Sequence, residues 1–354
     1  MGLHSASAPC VVGGSFLTSA NGITTMTAQV QSQTHYDVIV VGSGAGAMTS
    51  AVFLADQDFS VLVVEKSNQY GGTSAISGGG IWIPNNHYFA RMKGNDSYAT
   101  ALTYLKAAAG EHVGETRLRA YLDNAPKMIE QLTRISRVRY AVAAKYPDYY
   151  PHLPGALPGG RTLDPELFDT SLLGEELANL RKPSPSTLLM GRIAWTARDA
   201  HKAMARSFGW RLLIMKLMLR YKLDFKWRRK SKMDRRASLG SSLVASLRRS
   251  LMDRNVPLWL NTDFCGLVTD NGRVSGVTVR RDGAELQLHA RRGVILASGG
   301  FEQNQVLRDQ YLPKPTRKSW SATPPPMPTD TVSAEVKKLA VIRIAAAQES
   351  TPGA

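Results

Sequence analysis

Apolar residues in the first third of the chain form short runs that predict buried strands. The run YDVIVV at 36–41 is β-branched, and FSVLVVE at 59–65 repeats the pattern. Runs without polar alternation are typical of parallel strands covered on both faces. Between them, glycines lead into 47–55, where apolar residues occur at helical density. The sequence therefore predicts a βαβ unit of about 30 residues within an α/β fold.

The pattern becomes less regular after the second strand. Residues 66–84 are rich in glycine, and helical periodicity follows at 98–109 and 115–134. Pro and Gly then dominate 146–183, which predicts a long ordered loop system. We interpret 140–236 as an insertion of Pro/Gly-rich loops followed by basic helices.

Regular elements return near residue 240. We expect an amphipathic helix at 243–254. The dipeptides Asn271-Gly272 and Asp282-Gly283 separate β-rich runs, and such pairs are strong hairpin signals. A β-meander of three short strands is therefore predicted, with a further strand on either side of it. The five predicted strands lie at 256–260, 266–268, 276–280, 285–288 and 293–297.

A glycine pattern joins the first strand to the first helix. Gly42-Ser-Gly-Ala-Gly-Ala47 fits G-x-G-x-x-G/A, and Glu65 follows 23 residues after Gly42 at the end of the next strand. Gly42 permits the tight turn, Gly44 lets the backbone approach a pyrophosphate, and Ala47 lets helix and strand pack. The helix N-terminus offers free N–H groups to phosphate. Glu65 is expected to accept hydrogen bonds from ribose hydroxyls.

More glycines follow Glu65, and they favour FAD over NAD. The segments 71–74 (GGTS) and 78–80 (GGG) leave space free of side chains against a flat ligand, and hydroxyls there can donate to phosphate or ring oxygens. The later meander and the segment 297–300 (ASGG) are typical of two-dinucleotide flavoproteins. The alternative for 78–80 is a flexible loop without a ligand.

Composition sets the broad class of protein. The chain has 354 residues, of which 43% are hydrophobic and 20% charged, which is ordinary for a globular protein. Cys10 and Cys265 give neither a disulfide framework nor metal-ligand spacing, so a reducing, cytoplasmic location is expected. Residues 1–34 lack the features of a signal peptide and are predicted to be a flexible extension, with Met26 as an alternative start.

Positive charge is concentrated in one region. The net charge is +16, and 220–236 carries nine Lys or Arg beside only Asp224 and Asp234. Residues 208–219 (FGWRLLIMKLML) place apolar side chains at helical spacing next to cations. Two interpretations follow for 208–236: a core-packed helix with a solvated basic loop, or an interfacial helix at the inner membrane face. No nucleic-acid-binding module accompanies the charge, and no apolar run reaches the length of a transmembrane span.

Three stretches together resemble one enzyme family. They are 70–86 (YGGTSAISGGGIWIPNN), 146–155 (YPDYYPHLPG) with 159–161 (GGR), and 293–304 (GVILASGGFEQN). They are similar to the FAD-dependent 3-ketosteroid Δ1-dehydrogenases of the fumarate reductase/succinate dehydrogenase flavoprotein superfamily. The resemblance covers roughly residues 35–323, which we expect to form the FAD-binding domain.

The resemblance implies a reaction and a set of site residues. A 3-ketosteroid is desaturated between C1 and C2: a tyrosine base removes a C2 proton, hydride leaves C1 for flavin N5, and donors around the C3 oxygen stabilise the enolate-like charge. It implies that Tyr149 assists the catalytic base. The alternatives are that Tyr150 has this role or that Tyr149 is only an aromatic residue packed in the loop. The resemblance also implies that the backbone of Val268 contacts the adenine. The residues implied to contact FAD are Gly42, Ser43, Gly44, Ala45, Gly46, Ala47, Glu65, Lys66, Gly71, Gly72, Thr73, Ser74, Ser77, Gly78, Gly79, Gly80, Ser298 and Gly299.

The resemblance also implies that functional parts are missing. In this family the catalytic base, a second tyrosine, a glycine near the C3 oxygen and the substrate-capping domain lie further downstream. Residues 324–354 have an atypical composition and are expected to be disordered, and a frame change near 324–326 would explain them. We therefore expect this chain to retain FAD weakly. The alternative functions are a dicarboxylate reductase related to fumarate reductase, or a catalytically inactive FAD-binding remnant.

Overall fold

A computed structural model describes residues 34–323. The expectations for 1–33, including Cys10 and Met26, and for the tail 324–354 lie outside the described residues. The strands are β1 (His35–Val41), β2 (Val61–Val64), β3 (Ile81–Trp82), β4 (Tyr140–Val142), β5 (Thr162–Pro165), β6 (Phe168–Asp169), β7 (Arg236–Ala237), β8 (Leu258–Trp259), β9 (Thr262–Asp270), β10 (Arg273–Arg281) and β11 (Ala284–Leu296).

Nine α-helices lie between or after these strands in the described residues. They are α1 (Ala45–Ala55), α2 (His87–Arg91), α3 (Tyr98–Ala109), α4 (Glu115–Ile135), α5 (Ala197–Met204), α6 (Trp210–Lys222), α7 (Phe225–Arg228), α8 (Leu239–Met252) and α9 (Gln305–Tyr311). Short 3-10 helices lie at Gly72–Ile76, Gly110–His112, Thr170–Asn179, Pro185–Thr187 and Lys318–Trp320.

A six-stranded mixed sheet forms the centre of the fold. Its strand order is β8-β2-β1-β11-β10-β9. Strands β8, β2 and β1 are parallel, and β1 also pairs in parallel with β11. Strands β9, β10 and β11 form an antiparallel meander. The α/β fold, the βαβ unit and the meander predicted from the sequence are confirmed.

One strand boundary was predicted wrongly. The runs expected at 285–288 and 293–297 belong to a single strand, β11. Its first half pairs antiparallel with β10, from Ala284 to His289, and its second half pairs parallel with β1, ending at Leu296. A register shift opposite Asp37 accommodates an extra residue on β11. The strand can therefore continue through the polar pair Arg291-Arg292, which local sequence patterns mark as a break.

Two hydrophobic cores lie on either side of β1. Val38 and Val40 belong to the core formed with α1, α4 and α8, whereas Ile39 and Val41 belong to the core formed with the meander. This alternation follows from the two-residue period of a strand. Because both faces of β1 are covered, its turn at Gly42 is held from both sides.

Helix α8 is buried rather than amphipathic, so the prediction for 243–254 is corrected. It begins at Leu239, and its serines are buried together with its leucines. Ser241 donates to the carbonyl of Ala75 (2.8 Å), and Ser250 donates to that of Ser246 (2.7 Å). A small hydroxyl that satisfies a backbone carbonyl can be buried without an unpaired polar group. The serine face therefore packs against protein instead of facing solvent.

The insertion at 140–236 contains ordered loops and short elements. Strand β5 lies between β3 and β4 in a small sheet, and β6 pairs with β7. Helices α5, α6 and α7 follow, as the helical composition of this region predicted. In the part of the chain that the structure describes, none of the helices combines the length and apolar character needed to cross a bilayer.

Candidate dinucleotide and flavin site

A cavity of about 270 Å³ lies where three parallel strands end. Gly42 follows β1, Glu65 follows β2 and Ser298 follows β11, and all three line it. Ligands of open α/β sheets bind at the carboxyl ends of the strands. The topology therefore places the predicted glycine turn, the predicted acid and the predicted Ala-Ser-Gly-Gly segment around one space.

The glycine turn is shaped by close backbone approaches. Gly42 has φ +106°, and a Cβ on it would lie 2.4 Å from the carbonyl oxygen of Ala297. Gly44 is the N-terminal cap of α1, and a Cβ there would lie 3.4 Å from Ser74 Oγ. The Ala45 N–H donates to the same Ser74 oxygen at 3.0 Å. A side chain at 42 would therefore push the turn away from β11, whereas a Cβ at 44 would make an ordinary contact with Ser74.

Glu65 connects the glycine turn to the segments that follow β2. Its carboxyl is buried, accepts a hydrogen bond from Ser43 Oγ and accepts another from the Ser67 N–H at 2.9 Å. Ser43 Oγ in turn accepts from the Gly71 N–H at 3.0 Å. Burial raises the pKa of the Glu65 carboxyl, although the Ser43 and Ser67 donors oppose the shift. The Glu65 carboxyl is thus a hydrogen-bond acceptor held at the cavity wall, where it has little contact with water.

Most residues implied to contact FAD do lie together. The members that line the cavity are Gly42, Ser43, Gly44, Ala45, Gly46, Glu65, Lys66, Gly72, Thr73, Ser74, Ser298 and Gly299. Ala47 and Gly71 are buried beside them instead. A Cβ on Gly71 would lie 2.9 Å from Val244 Cγ1 of α8, so this glycine serves packing in the structure.

Val268 is not brought to this cavity. It pairs with Gly276 in the middle of β9, whereas Thr262, Asp263 and Phe264 at the start of β9 line the cavity. Four residues of strand separate Val268 from Phe264, or roughly 13 Å. The Thr262 N–H donates to the carbonyl of Glu65 at 2.9 Å, which fixes the end of β9 nearest the cavity. No local pattern in the sequence predicts this pairing.

The glycines at 78–80 have different surroundings from one another. Gly79 is buried with φ +68°, and a Cβ on it would lie 2.7 Å from the Gly240 nitrogen. Its N–H donates to Ser77 Oγ at 3.0 Å. Gly78 is exposed, and a Cβ there would meet nothing within 4 Å. Gly79 therefore docks the segment on α8, which leaves the Gly78 backbone open to a ligand.

A second, larger cavity begins at Gly78. Its volume is about 1090 Å³, and Tyr146, Tyr88, Trp195 and Leu239 contribute to its walls. Cations border it as well, namely Arg91, Lys145, Arg198 and Lys202. This space has the aromatic lining and the size that suit a rigid apolar ligand.

The tyrosines of the predicted motif stand at the surface. Tyr149 is 80% exposed and lies edge-on to Tyr146, with ring centroids 6.4 Å apart. A hydrogen bond to Tyr149 raises the pKa of the Tyr146 hydroxyl. Tyr146, not Tyr149, lines the second cavity. The Tyr150 N–H donates to Tyr104 Oη at 3.2 Å, so the loop is anchored beneath the exposed rings.

The residues present fit a flavin dinucleotide. Gly46 and Gly72 line the first cavity with no atom within 4 Å of a built Cβ, which leaves room for phosphate beside the start of α1. Ser298 Oγ, at the wall of the cavity, is buried without a hydrogen-bond partner. An unpaired buried hydroxyl costs free energy unless a ligand or water satisfies it. Donors, acceptors and open space are therefore placed for FAD.

Comparisons with known proteins agree with this geometry. Residues 37–348 match the FAD binding domain family. The chain is 45% identical over 284 residues to a 3-oxosteroid 1-dehydrogenase of Comamonas testosteroni, covering 80% of this chain and 49% of that protein. It is 38% identical to a 3-oxosteroid 1-dehydrogenase of Mycobacterium tuberculosis, covering 81% and 51%. The chain thus spans about half the length of the curated relatives it matches.

A solved structure supports the same relationship. The 3-ketosteroid Δ1-dehydrogenase of Sterolibacterium denitrificans, in complex with 1,4-androstadiene-3,17-dione, superposes with a TM-score of 0.83. Sequence identity is 54%, and the match covers 86% of this chain and 55% of that chain. A flavocytochrome c3 fumarate reductase superposes with a TM-score of 0.51 at 16% identity, which is a likeness of fold alone.

Proposed function

Because the chain belongs to the FAD binding domain family, we propose that it is the FAD-binding part of a flavoenzyme that desaturates 3-ketosteroids between C1 and C2. The observation that carries the proposal is the cavity at the ends of β1, β2 and β11, with Gly42, Glu65 and Ser298 around it. The similarity to 3-oxosteroid 1-dehydrogenases supports the steroid substrate. The dicarboxylate alternative has weaker support, since its structural likeness extends to the fold alone.

In this proposal the ADP half of the cofactor occupies the first cavity. The free N–H groups at the start of α1 bind the pyrophosphate, Glu65 accepts from the ribose, and Ser298 Oγ donates to the ligand. Bound FAD supplies the acceptor for hydride. The Gly78 backbone, which no side chain of the described residues covers, would hold the ring system.

The flavin position is testable through two neighbouring glycines. Gly78→Ala adds a methyl group to open space, so we expect unchanged thermal stability of the FAD-free protein and at least about tenfold weaker FAD binding. Gly79→Ala is the matched variant: its Cβ would lie 2.8 Å from Gly240 Cα, so it lowers stability with or without FAD. Flavin fluorescence titration and thermal unfolding separate the two effects. Equal FAD affinity for the parent and for Gly78→Ala would contradict a flavin position beside this segment.

We propose that the steroid enters the second cavity beside Gly78 and Tyr146. Its aromatic walls and its contact with the Gly78 segment support this placement. The full-length gene product is to be assayed with 4-androstene-3,17-dione and an artificial electron acceptor, with Tyr149→Phe and Tyr150→Phe as a pair. We expect desaturation in the parent and a larger loss with Tyr149→Phe. FAD binding without turnover would instead support a catalytically inactive remnant, and turnover of fumarate would support the dicarboxylate alternative.

We also propose that the protein binds the inner face of an anionic membrane through α6 and its flanks. The exposed apolar residues recur at helical spacing: Phe208 is 100% exposed, Leu212 64%, Met215 59%, Leu219 55% and Leu223 56%. On α6 itself only Leu217 is buried. This exposure supports the interfacial interpretation of the helix over the core-packed one.

Charge complementarity supports a membrane as the partner of this face. Between 205 and 223 the chain has cations at Arg206, Arg211, Lys216, Arg220 and Lys222 and no acidic residue. An apolar row flanked by long cationic side chains suits the interface of an anionic bilayer. The same arrangement would repel a basic partner, and an acidic protein surface would not require the apolar row.

Vesicle co-sedimentation tests the membrane proposal. We expect binding to vesicles rich in phosphatidylglycerol, weaker binding at high salt and little binding to phosphatidylcholine alone. Leu212→Glu should weaken binding about tenfold. Val306→Glu, which changes an equally exposed apolar residue on α9, should leave it unchanged. If both variants bind as the parent does, α6 does not contact lipid.

A further inference from the structure

Arg161 is the largest fully buried side chain of the described residues, and it is charged. Its guanidinium binds Asp96 through two hydrogen bonds, from Nη2 to Oδ1 at 2.8 Å and from Nε to Oδ2 at 3.0 Å. A third bond runs from Nη1 to Asp148 Oδ2 at 2.8 Å. Both carboxylate side chains are 3% exposed. One cation thus joins two buried anions that lie 52 residues apart in the sequence.

The two carboxylates belong to different parts of the fold. Asp96 precedes α3 and accepts from the Asn85 N–H at 3.0 Å. Asp148 lies in the loop between β4 and β5, and it accepts from Trp82 Nε1 at 2.7 Å and from the Leu157 N–H at 2.9 Å. Arg161 therefore connects this loop to the segment that precedes α3.

Further contacts fix the same loop, which we call the tyrosine loop (residues 146–160). Arg161 Nη1 also donates to the carbonyl of Gly155 at 3.0 Å. Its guanidinium lies 5.6 Å from the ring centroids of both Trp82 and Tyr104, a distance at which cations and aromatic rings attract. Tyr104 Oη accepts the Tyr150 N–H. The buried side of the loop is thus fully bonded, while Tyr149 and Tyr150 project outward.

The planar guanidinium of arginine, whose N–H donors point in fixed directions like a fork, suits this position. Four N–H···O bonds leave one guanidinium in two directions, toward Asp96 and toward Asp148 with Gly155. A lysine ammonium carries three donors on one atom and cannot span both directions. A buried, fully bonded network of this kind holds one geometry rather than many.

We propose that Arg161 is a positioning residue: through Asp148 it holds the tyrosine loop, and with it Tyr146 and Tyr149, in the geometry that the substrate meets. The identity of that substrate as a 3-ketosteroid rests on the proposed function. The rigidity of the loop does not, and it can be measured without substrate.

Two matched substitutions test the positioning. Asp148 and Asp96 each accept from donors on both oxygens. In Asp148→Asn and Asp96→Asn a single acceptor oxygen remains, so each variant loses one charge and at least one hydrogen bond of the network around Arg161. Only Asp148 is in the tyrosine loop. Arg161→Lys is the third variant, which keeps the charge and loses the fork.

The readouts are amide hydrogen exchange, FAD affinity and steady-state kinetics of the full-length gene product. We expect Asp148→Asn and Arg161→Lys to speed exchange across the tyrosine loop at least about tenfold, with FAD affinity within about twofold. For 4-androstene-3,17-dione, kcat should fall by up to about 100-fold while KM changes little. Asp96→Asn leaves the bond between Arg161 and Asp148 in place, so it should speed exchange across the loop less than Asp148→Asn does.

If Asp96→Asn and Asp148→Asn speed amide exchange in the loop equally, Arg161 has a general structural role and the inference is overturned. Unchanged exchange in Arg161→Lys would overturn it as well. Faster loop exchange with unchanged kcat would also overturn it, because the loop geometry would then not serve turnover. If the parent desaturates no 3-ketosteroid, the proposed function fails, whereas the exchange comparison still decides whether Arg161 fixes the loop.

Discussion

Gly42 and Ala297 approach each other so closely that a Cβ on Gly42 would lie 2.4 Å from the Ala297 carbonyl oxygen. This contact joins the end of β1 to the end of β11 at the cavity. We expect Gly42→Ala to lower the free energy of unfolding by about 2 kcal/mol or more, because the new methyl group adds a clash to an unfavourable φ. Urea unfolding measures the change.

Gly46→Ala is the control for this substitution. Gly46 lies in the first turn of α1, and a Cβ on it meets no atom within 4 Å. Alanine in a helix is favoured over glycine by roughly 0.5–1 kcal/mol, so this variant should unfold at slightly higher urea concentration than the parent. A destabilised Gly46→Ala would show that any methyl group disturbs the turn, and the clash with Ala297 would then not explain the effect of Gly42→Ala.

The buried Glu65 carboxyl should make the FAD-free protein sensitive to pH. Burial raises its pKa in the folded state, so the folded state holds this proton more tightly than the unfolded state does. Stability is then lost as pH rises above the ordinary value of 4.5. Glu65→Gln removes the titration, so its stability relative to the parent should increase from pH 4 to pH 7, as measured by urea unfolding at each pH. A constant difference would contradict the shift.

Asp37 should show the opposite dependence on pH. Hydrogen bonds from the Ser60 N–H and Ser60 Oγ, and then from Arg291, lower the pKa of its carboxyl from 3.8 to about 2. Its contribution to stability is therefore present above pH 4 and is lost as pH falls toward 2. Asp37→Asn should be less stable than the parent at pH 7 and similar to it near pH 2. A difference that persists at pH 2 would point to lost packing instead.

Two leucines on different helices should respond differently to truncation. Leu247 of α8 is fully buried, whereas Leu212 of α6 is 64% exposed. We expect Leu247→Ala to cost about 2–5 kcal/mol of stability and Leu212→Ala to cost less than about 0.5 kcal/mol. Thermal unfolding compares them. A large cost at Leu212 would mean that the α6 face is packed in the protein, which would also contradict membrane binding.

Local patterns in the sequence were sufficient for the central elements of the fold. The β-branched runs, the glycine turn after Val41 and the hairpin dipeptides are each read within a few residues, and the structure confirms the elements they predict. Glu65 could be placed for the same reason, because a βαβ unit fixes the distance between its strand ends.

The predictions that differ from the structure concern contacts between distant segments. Val268 was chosen by analogy, yet the pairing of Thr262 with Glu65 brings Phe264 to the cavity. An amphipathic helix was expected at 243–254, yet the distant carbonyls of Ala75 and Glu166 accept the hydroxyls of Ser241 and Ser242 on α8. The role of Arg161 likewise depends on Asp96 and Asp148, which no local spacing connects to it.

The continuity of β11 has a consequence for biosynthesis. Strand β1 emerges from the ribosome early, yet His35 pairs with His289 and Val41 with Leu296. The edge of β1 that pairs with β11 therefore stays unpaired until translation has passed the end of β11. Contacts of such long sequence separation form slowly and leave nascent chains prone to aggregation. The contact between Gly42 and Ala297 can form only after that point, so the wall of the first cavity that follows β11 is completed late.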